Sequence, residues 1–251
     1  ATVGFMLITH VIIMLGVQKG IERSSKLMMP MLFVILLVLC GRSISMDGGM
    51  EGLKFLFTPD FSKVTSQTFL NAVGQSFFSI SAGLGCMIVY ASYFSDSTKI
   101  GSTAVSVALI DTFVAVLAAV MIFPAVFSVG IQPTAGPSLV FITLPNILNT
   151  LSFSWLWSTI FFLLLALAAL TSTISIHEVV TAYVSEQWNV RRNSAAWLST
   201  AAMLVLGVVC SLSFSVLSGW TIGGRSIFDF FDYLTANFML PIGGIFTCLF
   251  V

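Results

Sequence analysis

The chain has 251 residues, of which 57% are hydrophobic and 8% charged, with ten basic and ten acidic side chains and no formal net charge. Soluble domains carry about 25% charged residues, so a soluble core of this length would lack its polar shell, and a mean hydropathy of +1.04 points to lipid. A pI near 6.9 leaves no basic face for nucleic acid, and Cys40, Cys86, Cys210 and Cys248, without CxxC spacing, read as packing residues, not metal ligands or a disulfide framework.

A bilayer core takes about 20 mostly apolar residues per helix. Seven stretches meet or approach that length, near 1–18, 25–44, 68–93, 100–128, 152–185, 194–214 and 227–251. Runs this long predict helices, since the strands of a membrane barrel are short and alternate. The chain opens and closes inside apolar runs, with no initiator Met and no cleavable signal, which predicts a piece of a longer protein. Lys19, Arg23 and Lys26 crowd the first loop, Lys99 lies beside the third-to-fourth, and Arg191 and Arg192 mark the fifth-to-sixth. These loops share one side, which the positive-inside rule makes cytoplasmic. On the other side, Arg42, Lys54, Lys63 and Arg225 are diluted by Asp47, Glu51 and Asp60.

The third stretch is interrupted. In GQSFFSISAGLGCMIVYASY, Ser79, Ser81, Gly83 and Gly85 break the apolar run. Lipid offers no hydrogen bonds, so an unwound segment persists only where it lines a protein cavity. A helix stopping near Phe78 and restarting after Gly85 would aim the negative end of its dipole, with its last carbonyls, at a cation such as sodium or an ammonium group. Close packing of small residues against another helix is the simpler alternative.

In the fourth stretch Asp111 is the only acid deep inside a span, where a carboxylate costs ~2.5 kcal/mol or more. A sodium or proton role is the expectation, with a structural hydrogen bond as the alternative. Between the fourth and fifth stretches, Gly130 to Thr150 carries Pro133, Pro137 and Pro145 around LVFITL. Proline bars one continuous helix, and an apolar loop wants something to pack on. It is expected either to fold over the extracellular face as a lid or merely to rest on helix ends.

The fifth stretch holds LAALTSTISI. Thr171 and Ser172 with the Ala168 carbonyl resemble part of an oxygen cage for a small cation, although Ser and Thr often bond back to their own helix. Just beyond, HEVVT invites a zinc-protease reading, which fails because position 181 is Thr where the motif needs a second His. His10 and His177 are therefore expected to be packed or interfacial, and Glu178 to make a polar contact between helices. Asp229 and Asp232 open the last stretch, where acids favour the dipole of a first turn. Asp232 lies deeper than capping requires.

GQSFFSISAGLG followed by YASY, then GPSLVFITLPNIL, then ALTSTISI, together with KGIER in the first loop, resemble the sodium-coupled neurotransmitter and amino-acid symporters, particularly bacterial amino-acid members. The resemblance runs through essentially the whole chain. It implies an all-α membrane protein with part of the leucine-transporter-type inverted-repeat fold, running from the fourth to the tenth helix. Residues 1–251 would form one transmembrane domain: 1–44 ends the first repeat, 45–67 is an extracellular loop, and 68–251 is the second repeat with a lid at 130–150.

The same resemblance implies the site. Phe78 would be the aromatic lid, and the carbonyls of Phe78, Ser79 and Ser81 would receive the substrate ammonium. Leu84, Ser172 and Ile176 would line the side-chain pocket. Ser79 would bind a first sodium, and the Ala168 carbonyl with Thr171 and Ser172 a second, with further ligands outside the chain. Gln75, Phe78 and Asp232 match the outer gate. Asp111 falls where the family pattern has an Asn ligand of the first sodium; its fixed charge would replace the chloride that some relatives need. The expected function is sodium-driven import of a neutral, apolar amino acid across the plasma membrane, with no enzyme activity. Alternatives are a proton-coupled transporter of the same fold, with Asp111 carrying the proton, and a non-transporting receptor or packing module.

Overall fold

The computed structural model describes residues 2–95, 97–130 and 139–250. Its helices in chain order are α1 (Thr2–Met14), α2 (Arg23–Ile44), α3 (Gly49–Phe57), α4 (Ser66–Ser79), α5 (Cys86–Ala91), α6 (Ile100–Ser128), α7 (Leu144–Asn149), α8 (Ser154–Gln187), α9 (Arg192–Leu212), α10 (Ile227–Leu234) and α11 (Leu240–Phe250). A two-residue hairpin pairs Thr221 with Ser226 and Ile222 with Arg225 before α10. Gly223 and Gly224 supply its turn with positive φ of 59° and 77°, as a tight hairpin of this type demands.

All seven stretches expected from hydropathy are helical. Among the described residues five are long and apolar enough to cross a membrane: Gly20–Ile44, Ile100–Ser128, Ser154–Gln187, Arg192–Leu212 and Ile227–Phe250. The third stretch is divided into α4 and α5. The first ends early, because Gly16 turns to φ 84° and the chain continues as a π-helical turn, Val17–Glu22. The last is also not uniform: a π-helical turn at Thr235–Met239 joins α10 to α11. Pro30 and Pro124 sit inside α2 and α6 without ending them.

The chain divides into two compact units, one of residues 1–25, 65–98 and 170–251, the other of residues 26–64 and 99–169. In the second unit α2, α6, α7 and the start of α8 share an apolar core that includes Leu36, Leu39, Met121, Val126, Leu144, Ile147 and Phe161. Two polar contacts lie within it: the Ser43 hydroxyl donates to the Met121 carbonyl at 2.7 Å and the Cys40 thiol to the Leu117 carbonyl at 3.1 Å.

Two segments between the long helices carry helices of their own in this unit. Residues 45–67 are not simply a loop, because α3 lies within them and packs along α6. The approach is so close that a Cβ on Gly52 would stand 2.6 Å from the Pro124 Cα, so the fit depends on the missing side chain. In the 130–150 segment the apolar residues find something to pack on: Leu144, Ile147 and Leu148 of α7 are buried in the core. Pro133 and Pro137 fall outside the described residues; Pro145 sits in the first turn of α7, where its missing N–H costs nothing.

In the first unit α1 packs on α9, and α4 and the π-helical turn meet α11. The N-terminus of α4 is fixed by a capping box in which the Thr65 side chain accepts from the Thr68 amide and the Thr68 side chain from the Thr65 amide. Ser226 caps α10 by accepting from the Asp229 amide, while its hydroxyl donates to the Asp229 carboxylate at 2.6 Å. Asp229 thus serves the first turn of α10, capped by Ser226.

Candidate functional site at the helix break

The break between α4 and α5 is built by a helix end followed by two left-handed glycines. The Ala82 amide donates to the Phe77 carbonyl at 3.0 Å and the Ser81 amide to the Phe78 carbonyl at 3.1 Å. This crossed pair is a Schellman C-cap, which requires the residue after the helix to be left-handed. That residue is Ser81, at φ 56°, where glycine would be unstrained. Gly83 (φ 86°) and Gly85 (φ 80°) repeat the left-handed turn, and α5 starts immediately afterwards. The Phe78 carbonyl accepts backbone N–H groups from Ile80 and Ser81, and the Ser81 carbonyl accepts one from Leu84 at 3.3 Å. The Ser81 oxygen, with one such donor, has a second lone pair to offer.

Gly83 has a second task. A Cβ there would lie 2.5 Å from the Leu240 carbonyl oxygen and 2.7 Å from the Gly244 nitrogen, and one on Gly243 would lie 2.6 Å from the Gly83 oxygen. The break and the start of α11 thus meet backbone to backbone. Beside them a cavity of about 140 Å³ is lined by Phe77, Ser81, Met87, Gly244 and Thr247.

Helix α8 presents three faces. Along the first, the Thr173 hydroxyl meets that of Thr9 at 3.3 Å, and His177 meets the Thr181 and Thr200 hydroxyls at 3.0 and 2.7 Å. His10 reaches the same Thr200 hydroxyl at 2.6 Å and rests on Trp197 at 4.1 Å. Both histidines are packed, as expected. Along the second face, the Tyr90 hydroxyl donates to Ser175 at 2.8 Å and the Tyr93 hydroxyl to Glu178 at 2.8 Å. Both pairs are 85 residues apart, so α5 and its continuation run the same way as α8, in register. Along the third face, Ser172 and Ile176 are exposed, and Gly85 approaches Val179, whose Cγ1 would lie 3.4 Å from a Gly85 Cβ. The break therefore meets α8 at Val179, one turn from Ile176 and two from Ser172 along the same face.

The other candidates are placed less closely. Phe78 is 53% exposed and Gln75 and Ser79 are exposed on α4. Leu84 is half-buried inside the break. Ala168, Thr171 and Ser172 follow one another in a helix that stays regular from Ser154 to Gln187, and the hydroxyls of Thr173 and Ser175 bond back to Leu170 and Thr171 carbonyls at 3.1 Å. Asp111 is half-buried in α6, in the second unit, whereas Ser79 belongs to the first. Asp232 is exposed on α10, and the nearby Arg225 guanidinium lies 4.0 Å over the Tyr233 ring. Among the described residues no three His, Cys, Asp or Glu side chains come together as a metal cluster; the oxygens here are carbonyls and hydroxyls, the ligands that hard monovalent cations take.

Glu178 was expected only to make a polar contact between helices. It is completely buried and receives both Arg192 guanidinium nitrogens, at 2.8 and 2.6 Å, besides Tyr93. Tyr90, Tyr93, Arg192 and Thr200 were missed as site-building residues. One signal was present: YASY and the pair Ser175 and Glu178 share a spacing of three, which places each pair on one helix face.

The profile of the sodium:neurotransmitter symporter family matches residues 2–251. An uncharacterized sodium-dependent transporter, YhdH, of Bacillus subtilis is 38% identical over 98% of this chain and 55% of its own length. A second uncharacterized sodium-dependent transporter, from Haemophilus influenzae, is 39% identical over 100% of this chain and 55% of its own. The chain thus spans little more than half the length of these relatives. The crystal structure of MhsT in complex with L-phenylalanine superposes with a TM-score of 0.88 and 43% identity, over 98% of this chain and 56% of MhsT. The fold is that of part of a leucine-transporter-type protein.

Proposed function

Because the chain belongs to the sodium:neurotransmitter symporter family, we propose that the protein imports a neutral, apolar amino acid across the plasma membrane together with sodium, by alternating access. The observation that carries this reading is the meeting of the broken helix with the Ser172–Ile176 face of α8. The C-terminal end of α4 carries about half a negative charge, and with the carbonyls of Phe78, Ser79 and Ser81 it suits an ammonium group. Leu84, Ile176 and Ser172 offer the substrate side chain an apolar wall with one hydroxyl, and no carboxylate that would select a basic side chain. The exposed Phe78 ring is the lid, and Gln75 and Asp232 belong to the outer gate.

Sodium takes the two places implied by the family pattern, Ser79 serving one and the Ala168 carbonyl with Thr171 and Ser172 the other, each completed by further ligands. Each ion crossing 100 mV contributes about 2.3 kcal/mol. Two ions would sustain about a thousandfold accumulation of substrate. The Asp111 charge takes the place of chloride. The MhsT complex, with its bound L-phenylalanine, supports an amino acid as the substrate class.

The test is uptake of labelled neutral amino acids, L-phenylalanine among them, into vesicles containing the full-length protein. Uptake is expected with an inward sodium gradient and not with a proton gradient alone. Proton-driven uptake without sodium would replace this reading with the proton-coupled one. Binding without uptake would make the protein a receptor.

A further inference from the structure

The second unit contains a polar cleft that shares no residue with the helix break. Its volume is about 220 Å³, room for a small polar molecule or several waters. It lies where α2, α6 and α7 end, and Arg42, Ser45, Asp47, Ser128 and Thr150 line it together with the apolar Met46, Val129 and Leu151.

The hydroxyl protons in this cleft are already used. Ser45 donates to the Gly41 carbonyl, Ser128 to that of Ala125 and Thr150 to that of Ile147, each at 2.7 Å. The Ser128 contact to the Met46 sulfur, at 4.0 Å, is the weaker alternative. Their oxygens are left as acceptors. The Asp47 carboxylate adds two more, and the C-terminal ends of α2 and α6 bring partial negative charge.

One cation stands against them. The Arg42 guanidinium lies 5.6 Å over the Trp157 ring. Among the described residues it has no carboxylate partner, and Asp47 has no cationic one. Two unpaired charges of opposite sign therefore line one cleft. A simple cation meets Arg42 there, and a simple anion meets Asp47 and the helix ends. A molecule carrying both charges satisfies the whole lining.

We propose that this cleft binds a small zwitterionic amino acid, with its carboxylate on Arg42 and its ammonium toward Asp47 and the Ser45, Ser128 and Thr150 oxygens. Met46, Val129 and Leu151 leave apolar surface for a short side chain. The charge distribution between spans puts this end of the helices on the non-cytoplasmic side, so the ligand arrives from outside. The site also sits at the two ends of the 130–150 segment, where α6 releases it and α7 returns it. It uses none of the oxygens assigned to sodium, so its occupancy is independent of that ion.

The experiment is equilibrium dialysis of labelled L-alanine against the full-length protein, with potassium in place of sodium. Saturable sodium-free binding is expected. Arg42→Gln and Asp47→Asn should each weaken it about tenfold or more, since each removes a hydrogen bond to a charged group, while Arg42→Lys retains part of it and Ser172→Ala leaves it in place. L-alaninamide and N-acetyl-L-alanine, which carry one charge each, should compete poorly. Melting temperatures of the variants separate loss of the site from loss of the fold. The proposal is overturned by absence of sodium-free binding, by equal competition from either singly charged analogue, or by binding that survives both charge substitutions. Failure of sodium-driven uptake bears on the transport reading alone, because this assay contains no sodium.

Discussion

Glu178 is a charge with no exposed surface, held by three hydrogen bonds, two from Arg192 and one from Tyr93. A buried pair of this kind is weak evidence for net stability, because desolvation offsets most of the attraction. Removing one partner is different: it strands a charge in an apolar interior, at a cost of about 3–5 kcal/mol. Arg192→Gln is therefore expected to lower the melting temperature of the full-length protein by several degrees, toward the low end of that cost since the Arg192 side chain is 33% exposed. The double variant with Glu178→Gln should recover part of the loss. A single variant that melts like the parent would show that the pair contributes little. At Asp111 the expectation concerns ions: uptake should persist when gluconate replaces chloride, and its loss would remove the role given to this carboxylate. Glu178 could not be assigned from its neighbours in the chain, since it finds its partners 14 and 85 positions away.

At the scale of elements, the break was the most legible feature. Its bounds, Ile80 to Gly85, follow from local chemistry: serine and glycine adopt the left-handed turns that end one helix and start the next, and their neighbours cannot extend it. The packing of Gly83 on α11 was not legible, because small residues suit both a cavity and a close contact. The structure shows both at once. Gly83→Ala is expected to abolish substrate binding by the full-length protein, since it adds left-handed strain of about 1 kcal/mol to a collision with the Leu240 carbonyl. Gly41→Ala, in open space on α2, should be neutral or stabilising by up to about 1 kcal/mol. Equal behaviour of the two variants would sink the argument. Helix α3 stayed hidden for the opposite reason: its glycines and charges read as a loop, and only the surface of α6 makes them a helix worth forming.

For the whole molecule, the helices that cross the membrane are mostly uncovered. In the most apolar window of α6 only 6% of residues are buried, and in that of the Gly20–Ile44 helix 28%. Such surfaces are stable only against lipid or further helices. If sodium binds the folded protein as proposed, it stabilises it by mass action, about 2.7 kcal/mol at a concentration of 100 times its dissociation constant. A higher melting temperature in sodium chloride than in potassium chloride is the expected result for the full-length protein. An identical temperature in both salts would count against the sodium sites.

Membrane residence, helical class, the position of the break and the family pattern were determined by the sequence alone. Each depends on short-range properties: hydropathy summed over about twenty residues, the left-handed tolerance of glycine, the spacing of hydroxyls along one turn. Tertiary structure decided which groups meet. It joined His10 and His177 on one threonine, paired YASY with the second face of α8, buried Glu178 against Arg192, and gathered Arg42 and Asp47 at the ends of three helices. Those contacts arise from helix register and crossing, which place residues far apart in the chain within hydrogen-bond reach, and no local pattern encodes that register.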